Sequence, residues 1–254
     1  MSGSLQSKSA PVLRLDQVCK AFGGVKAADS ISLEVFKGEL VGLIGPNGSG
    51  KTTLLNVISG IYALDSGHIY LEGREITRMP THKRSMLGIA RTFQHPRLLN
   101  RCDIMTNVEV GIDLAVRKKQ MDRDACMKRL GLLLKEGHLE GIDLSDSTEK
   151  LSYGQQKILE IVRAILTQPK LLLIDEPAAG LNANEMQYIV DLFRFATGEG
   201  MGLLLIEHSM DLIMSICDKI TVLNFGKQIA TGLPAEIQSN QEVIRAYLGG
   251  ESKC

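Results

Sequence analysis

Tryptophan is absent from the 254-residue chain, and aromatic residues make up only 4% of it. Platforms that stack bases need aromatic faces, so this scarcity argues against a single-strand nucleic-acid binder. An excess of either charge is missing too, since 29 Lys and Arg offset 29 Asp and Glu. No overall field draws the chain to nucleic acid or anionic lipid. The five cysteines, Cys19, Cys102, Cys126, Cys217 and Cys254, are scattered and odd in number, with no C-x-x-C pair. Reduced thiols in a cytosolic protein are the expectation, with no metal-binding spacing. Apolar runs stay short: clusters such as Leu171–Ile174 fall far below the roughly 18 residues of a membrane span. Met1–Ala10 is Ser-rich and lacks the apolar centre of a signal peptide, so it reads as a flexible tail. Work at a membrane would have to go through a partner.

What is present centres on Gly45-Pro46-Asn47-Gly48-Ser49-Gly50-Lys51-Thr52-Thr53, which fits G-x-x-x-x-G-K-[ST]. Leu40–Ile44 before it reads as a buried parallel strand, and Thr52–Ser59 after it as a helix. A strand, a glycine turn and a helix aim successive backbone N–H groups and a helix N-terminus at one point. Gly45, Gly48 and Gly50 are needed where a Cβ would block φ > 0 or close approach to phosphate. Lys51 can reach β- and γ-phosphates, and the Thr52 hydroxyl can ligate Mg²⁺. The chain is expected to bind a nucleoside triphosphate.

Leu13–Val18 and Ile31–Phe36 alternate as half-buried antiparallel strands do, joined by a turn at Lys20–Gly24 that carries Phe22. Gly67–Gly73 reads as a strand, and Ile89–Gln94 as an apolar segment ending at Gln94. From His95 to Lys150 the strand texture vanishes, and Cys126, Leu130, Leu133 and Leu134 share one helical face. A helix over Gln155–Thr167, the strand Leu171–Asp175, a helix bearing Met186, Ile189, Val190 and Phe193, and the strand Leu203–Ile206 follow. A helix around Met210–Cys217 and short strands at Ile220–Asn224 and Gln228–Ala230 close the pattern. The expected fold is α/β: a P-loop core with a mainly parallel sheet, an antiparallel β edge and a helical insert near 95–165, all within one domain spanning 11–254.

Leu171–Ile174 delivers Asp175 and Glu176 at a strand's C-terminal edge, where ligands of open α/β sheets sit. Asp175 is expected to hold Mg²⁺ through water, and Glu176 to act as general base on the attacking water. Leu151-Ser152-Tyr153-Gly154-Gln155 opens a helix, so Ser152 and the first N–H groups offer both an N-cap and an anion site.

A P-loop, an L-S-x-G-Q helix start and an L-L-L-I-D-E-P strand, in that order, resemble the ABC-type ATPases over residues 11–250. The resemblance implies ATP and Mg²⁺ as ligands. It implies that Phe22 stacks on adenine, where Tyr is commoner. Gln94 would touch Mg²⁺ and water and sense a membrane partner. His208 would contact the γ-phosphate. Ser152, Gly154 and Gln155 would face the nucleotide of a second ATPase subunit, in a homo- or heterodimer. Asn182 stands where many members have Asp.

Arg91–His95 (RTFQH), Tyr153–Gln156 (YGQQ), Asp175–Asn182 (DEPAAGLN), Ile206–Met210 (IEHSM) and Val243–Gly249 (VIRAYLG) resemble the ATP-binding subunits of branched-chain amino-acid importers. Members of that branch usually carry Asp at Ser209 and often a longer insert. This resemblance implies a peripheral protein at the cytoplasmic face of the membrane, attached to permease subunits and binding no nucleic acid. An exporter ATPase of the lipopolysaccharide-export kind shares the Tyr247-Leu248-Gly249 ending, and an importer for another solute is a further alternative. A soluble ABC protein of translation or repair would carry tandem ATPase domains or a long coiled coil. A pure binding module would lack Glu176.

Overall fold

The computed structural model describes residues 10–248, so the expected tail, apart from Ala10, and the Gly249 end of the importer-like motif lie outside the described residues. Two strands, β1 (Leu13–Phe22) and β2 (Val25–Val35), form the first hairpin. Both run longer than their alternation suggests, and Phe22 ends β1 rather than lying in the turn. Only Gly23 and Gly24 turn, at φ 53 and 89, the two left-handed residues that a tight hairpin requires.

There follow β3 (Leu40–Ile44), α1 (Lys51–Ser59), β4 (Ser66–Leu71), β5 (Arg74–Glu75), α2 (Thr81–Leu87) and β6 (Ile89–Arg91). The helical stretch comprises α3 (Ile104–Arg117), α4 (Arg123–Glu136) and α5 (Tyr153–Leu166). The last part alternates β7 (Leu171–Asp175), α6 (Ala183–Gly198), β8 (Gly202–Ile206), α7 (Met210–Ile216), β9 (Lys219–Asn224) and β10 (Lys227–Gly232), then ends in α8 (Pro234–Gln238) and α9 (Gln241–Leu248). The helix α2, which sequence patterning does not reveal, starts after Pro80 and stops at Gly88 in a left-handed cap.

The antiparallel edge is a four-stranded sheet of its own, β2-β1-β4-β5. The main sheet runs β10-β9-β3-β8-β7-β6 and is parallel at every pair except β10–β9. Its central strands are apolar along their length because both faces are covered. Val41, Leu43, Leu171, Leu173, Leu204 and Ile206 pack with α1 and the antiparallel sheet. Leu40, Ile44, Leu172, Ile174, Leu203 and Leu205 face the other way, onto α5, α6 and the helices beyond. In α4, Cys126, Leu130, Leu133 and Leu134 are all buried in this second core.

Candidate active site

Strands β3, β8 and β7 lie side by side and parallel, so the loops that leave their C-terminal ends emerge at one edge of the sheet. The loop after β3 follows a path that only glycine permits at two points. Gly45 has φ 151, and a Cβ there would stand 2.1 Å from the Leu223 carbonyl oxygen; at Gly50, φ 104, it would stand 1.9 Å from the Ala27 oxygen. Gly50 caps α1 and no side chain fills that helix start, leaving first-turn N–H groups for an anion.

Lys51 is buried, and its Nζ donates to the carbonyls of Gly45 (2.7 Å) and Pro46 (3.1 Å). Burial pushes its pKa below the usual lysine value, opposed by the nearby charges of Glu176 and Asp175. Ser49 Oγ is buried with no hydrogen-bond partner among the described residues. An orphaned hydroxyl, a loop that admits no Cβ at Gly45 or Gly50 and a lysine wrapped over it fit a phosphate chain. Thr52 is exposed on the first turn of α1, with Thr53 half-buried beside it, while Asn47 and Gly48 face solvent.

Asp175 ends β7 and is 5% exposed. Its Oδ2 accepts from Arg91 Nη2 at 3.0 Å, while Arg91 Nη1 donates to Asn56 Oδ1 (2.6 Å) and Ser59 Oγ (3.2 Å). Glu176 turns the chain at φ 47, a strained value for a residue with a side chain. Its Oε2 accepts from Gln94 Nε2 at 2.8 Å, and its Oε1 lies 2.8 Å from His208 Nε2. Three residues drawn from three separated motifs thus meet at one carboxylate. Gln94 does not end a strand: β6 stops at Arg91, whose guanidinium is held by Asp175, and the chain leaves the sheet after Thr92 N–H donates to Leu173 O.

Behind His208, the buried Glu207 carboxylate accepts the backbone N–H groups of Ala178 (2.7 Å) and His208 (2.8 Å), fixing the loops after β7 and β8 to each other. Ser209 caps α7, accepting from Leu212 N–H, so it retains an acceptor at its unusual position; Asn182 likewise caps α6 in a capping box with Glu185.

Ser152 caps α5: its Oγ accepts from Gln155 N–H, and Gln155 Oε1 accepts from Ser152 N–H. Gly154 is buried against α6, where an added Cβ would stand 2.1 Å from Glu185 Oε1. Ser152 itself is exposed, away from the Gln94–Glu176–His208 group, to which this helix connects through Tyr153 OH donating to Gln94 O at 3.3 Å. Phe22 is 45% exposed and meets Tyr62 edge-on at 5.3 Å, forming an aromatic corner. Sequence reasoning missed Arg91, Tyr62, Glu207 and Lys157, whose Nζ donates to the Glu176 carbonyl, as members of this neighbourhood. The signal for Lys157 was its place on the buried face set by Gly154, Ile158 and Ile161.

The ABC transporter family matches residues 28–179, and the branched-chain amino acid ATP-binding cassette transporter family matches residues 227–253. The high-affinity branched-chain amino acid transport ATP-binding protein LivG of Salmonella typhimurium is 38% identical over 260 residues, covering 95% of this chain and 99% of that protein. Its counterpart BraF of Pseudomonas aeruginosa is 38% identical over 254 residues with the same coverages. Among solved structures, an ATP-binding cassette of an ABC transporter in its ADP conformation superposes with a TM-score of 0.82 at 31% identity, covering 94% of this chain and 99% of that one. A nucleotide-free cassette gives 0.81 at 31% identity, over 93% of this chain and 98% of that one. The chain belongs to the ABC transporter ATP-binding family, in the branch of the branched-chain amino acid transport ATP-binding proteins, and is a nucleotide-binding transport ATPase.

Proposed function

We propose that this chain hydrolyses MgATP to power uptake of branched-chain or related hydrophobic amino acids through a separate membrane permease. The observation that carries the catalytic part is the Glu176 carboxylate held between Gln94 and His208 at the sheet edge that also bears the P-loop. The names and high coverage of LivG and BraF support the amino-acid part.

In this reading Lys51 and the backbone N–H groups of Gly45–Thr53, all but that of Pro46, which has none, bind the phosphates. Phe22, backed by Tyr62, takes the adenine face. Mg²⁺ would be held by Thr52, Asp175 and Gln94, and would neutralise phosphate charge when bound. Glu176 accepts a proton from the attacking water, while His208 contacts the γ-phosphate. Catalysis is mainly positioning and charge neutralisation. Ser152, Gly154 and Gln155 complete the nucleotide site of a second ATPase subunit, in a head-to-tail pair with two-fold symmetry.

No helix among the described residues is long and apolar enough to cross a membrane. In this reading the chain is a peripheral subunit on the cytoplasmic side, attached through the permease. A groove of about 230 Å³ lined by Ile61, Phe93, Val110, Leu114 and Arg163 lies between β6, α3 and α5, beside Gln94, and receives a cytoplasmic helix of the permease.

Reconstitution in proteoliposomes with a permease and companion ATPase of the branched-chain amino-acid importer kind tests the reading. Leucine should accumulate only with MgATP, and the Glu176→Gln subunit should abolish uptake. ATP-driven efflux, or ATPase activity with no amino-acid movement, would refute it.

A further inference from the structure

A lysine in a helix of this kind ordinarily points to water. Lys157, in α5, is 1% exposed, and its side chain is among the largest fully buried ones of the described residues. Its ammonium makes two hydrogen bonds, both to main-chain carbonyls: Phe93 O at 3.1 Å and Glu176 O at 3.3 Å. Phe93 precedes Gln94, so one cation holds the backbone of the two residues whose side chains meet at 2.8 Å. Glu176 is pinned on its other side as well, its N–H donating to Ile206 O at 2.9 Å. That pair of main-chain bonds brackets a residue at φ 47.

The charged groups around the ammonium come from every neighbouring element: Glu160 from α5 itself, Asp175 and Glu176 from the end of β7, and Glu207 from the end of β8. Burial pushes the lysine's pKa down and these four carboxylates oppose it. The cation is thus balanced as well as hydrogen-bonded, the condition under which a buried charge is tolerated.

We propose that Lys157 is a positioning residue for hydrolysis: its ammonium fixes the Phe93 and Glu176 carbonyls so that the Gln94 amide and Glu176 carboxylate stay in register for the attacking water. The inference rests on the reading of Glu176 as general base. Because Lys157 rides on the helix that starts at Ser152, it also gives that helix start a direct mechanical connection to the catalytic carboxylate.

The test uses the assembled transporter for steady-state ATPase and the purified chain for equilibrium ATP binding. Lys157→Met keeps length and removes the donors. Losing two charge-assisted hydrogen bonds at the catalytic backbone should lower kcat by about 10- to 100-fold while ATP affinity and KM stay within about threefold. Lys157→Arg should recover most of kcat, a rescue that a purely volume-filling role would not give. On a Gln94→Ala background Lys157→Met should cost little more, since the two residues act as one unit. A Lys157→Met kcat within about twofold of wild type, a loss confined to ATP affinity, or losses that multiply across the Gln94 pair would overturn the proposal. If Lys157→Met does not fold, Lys157→Arg and Lys157→Gln decide: kcat that follows the charge at normal ATP affinity supports it, and equal kcat contradicts it. An active Glu176→Gln protein would instead remove the general-base reading on which the inference stands.

Discussion

Arg91→Met should destabilise the protein severely, and the reason is Asp175. The Arg91 and Asp175 side chains are each 8% exposed and joined at 3.0 Å. The same guanidinium donates to Asn56 and Ser59 and lies 5.0 Å from the Phe93 ring. Methionine fills similar volume but leaves a buried carboxylate with no ion-pair partner among the described residues. Breaking a buried pair from one side costs about 3–5 kcal/mol. For a chain of this size that corresponds to a fall in Tm of about 6–20 °C. Circular dichroism melts and urea titrations of wild type, Arg91→Met, Asp175→Asn and the double variant measure it. The double variant should regain at least half of the loss, because the carboxylate that lost its ion pair is gone. A Tm for Arg91→Met within about 2 °C of wild type, or a double variant as unstable as Arg91→Met alone, would refute the reasoning.

Gly50→Ala forces a Cβ to within 1.9 Å of Ala27 O at φ 104, so the loop must shift and ATP affinity should fall by about tenfold or more, as read by equilibrium binding. Ser49→Ala removes a buried hydroxyl that lacks a partner; nucleotide-free stability should rise by up to about 1 kcal/mol while ATP affinity falls, so urea titration and binding should move in opposite directions. Mixing Lys51→Ala with Ser152→Arg should restore ATPase above either parent, because one site of the mixed dimer keeps an intact P-loop and an intact Ser152 element; no recovery in the assembled transporter would count against the shared site. Charge reversal at the exposed Arg97 and Arg101 should uncouple ATPase from transport, measured as uptake per ATP hydrolysed, without altering the fold.

The nucleotide loop is legible in sequence because its glycines answer a local demand, the impossible Cβ positions at Gly45 and Gly50. The core strands are legible because burial on both faces makes them continuously apolar, and α5 because its apolar period is strong; it starts at Tyr153, two residues before the expected Gln155, because Ser152 supplies the cap. The seven-residue α2 escapes because it buries only one residue, Arg84, a charged side chain that patterning assigns to solvent. Arg84 is buried because its guanidinium donates to the carbonyls of Val57, Ile58, Thr77 and Met79, contacts set by the tertiary fold. Lys157 and Arg91 escape for the same reason: their partners lie 19 to 84 positions away in the chain. Family motifs name Gln94, Glu176 and His208 separately; only the adjacency of the strand ends makes them one group.

The central claim is that the P-loop binds ATP and Glu176 activates water, so Lys51→Ala and Glu176→Gln must fail in different ways. Nucleotide affinity and turnover measured on both variants test this most directly. The account predicts weak ATP binding for Lys51→Ala, and near-normal binding with turnover reduced by orders of magnitude for Glu176→Gln. A Glu176→Gln protein that hydrolyses ATP at close to the wild-type rate would contradict it.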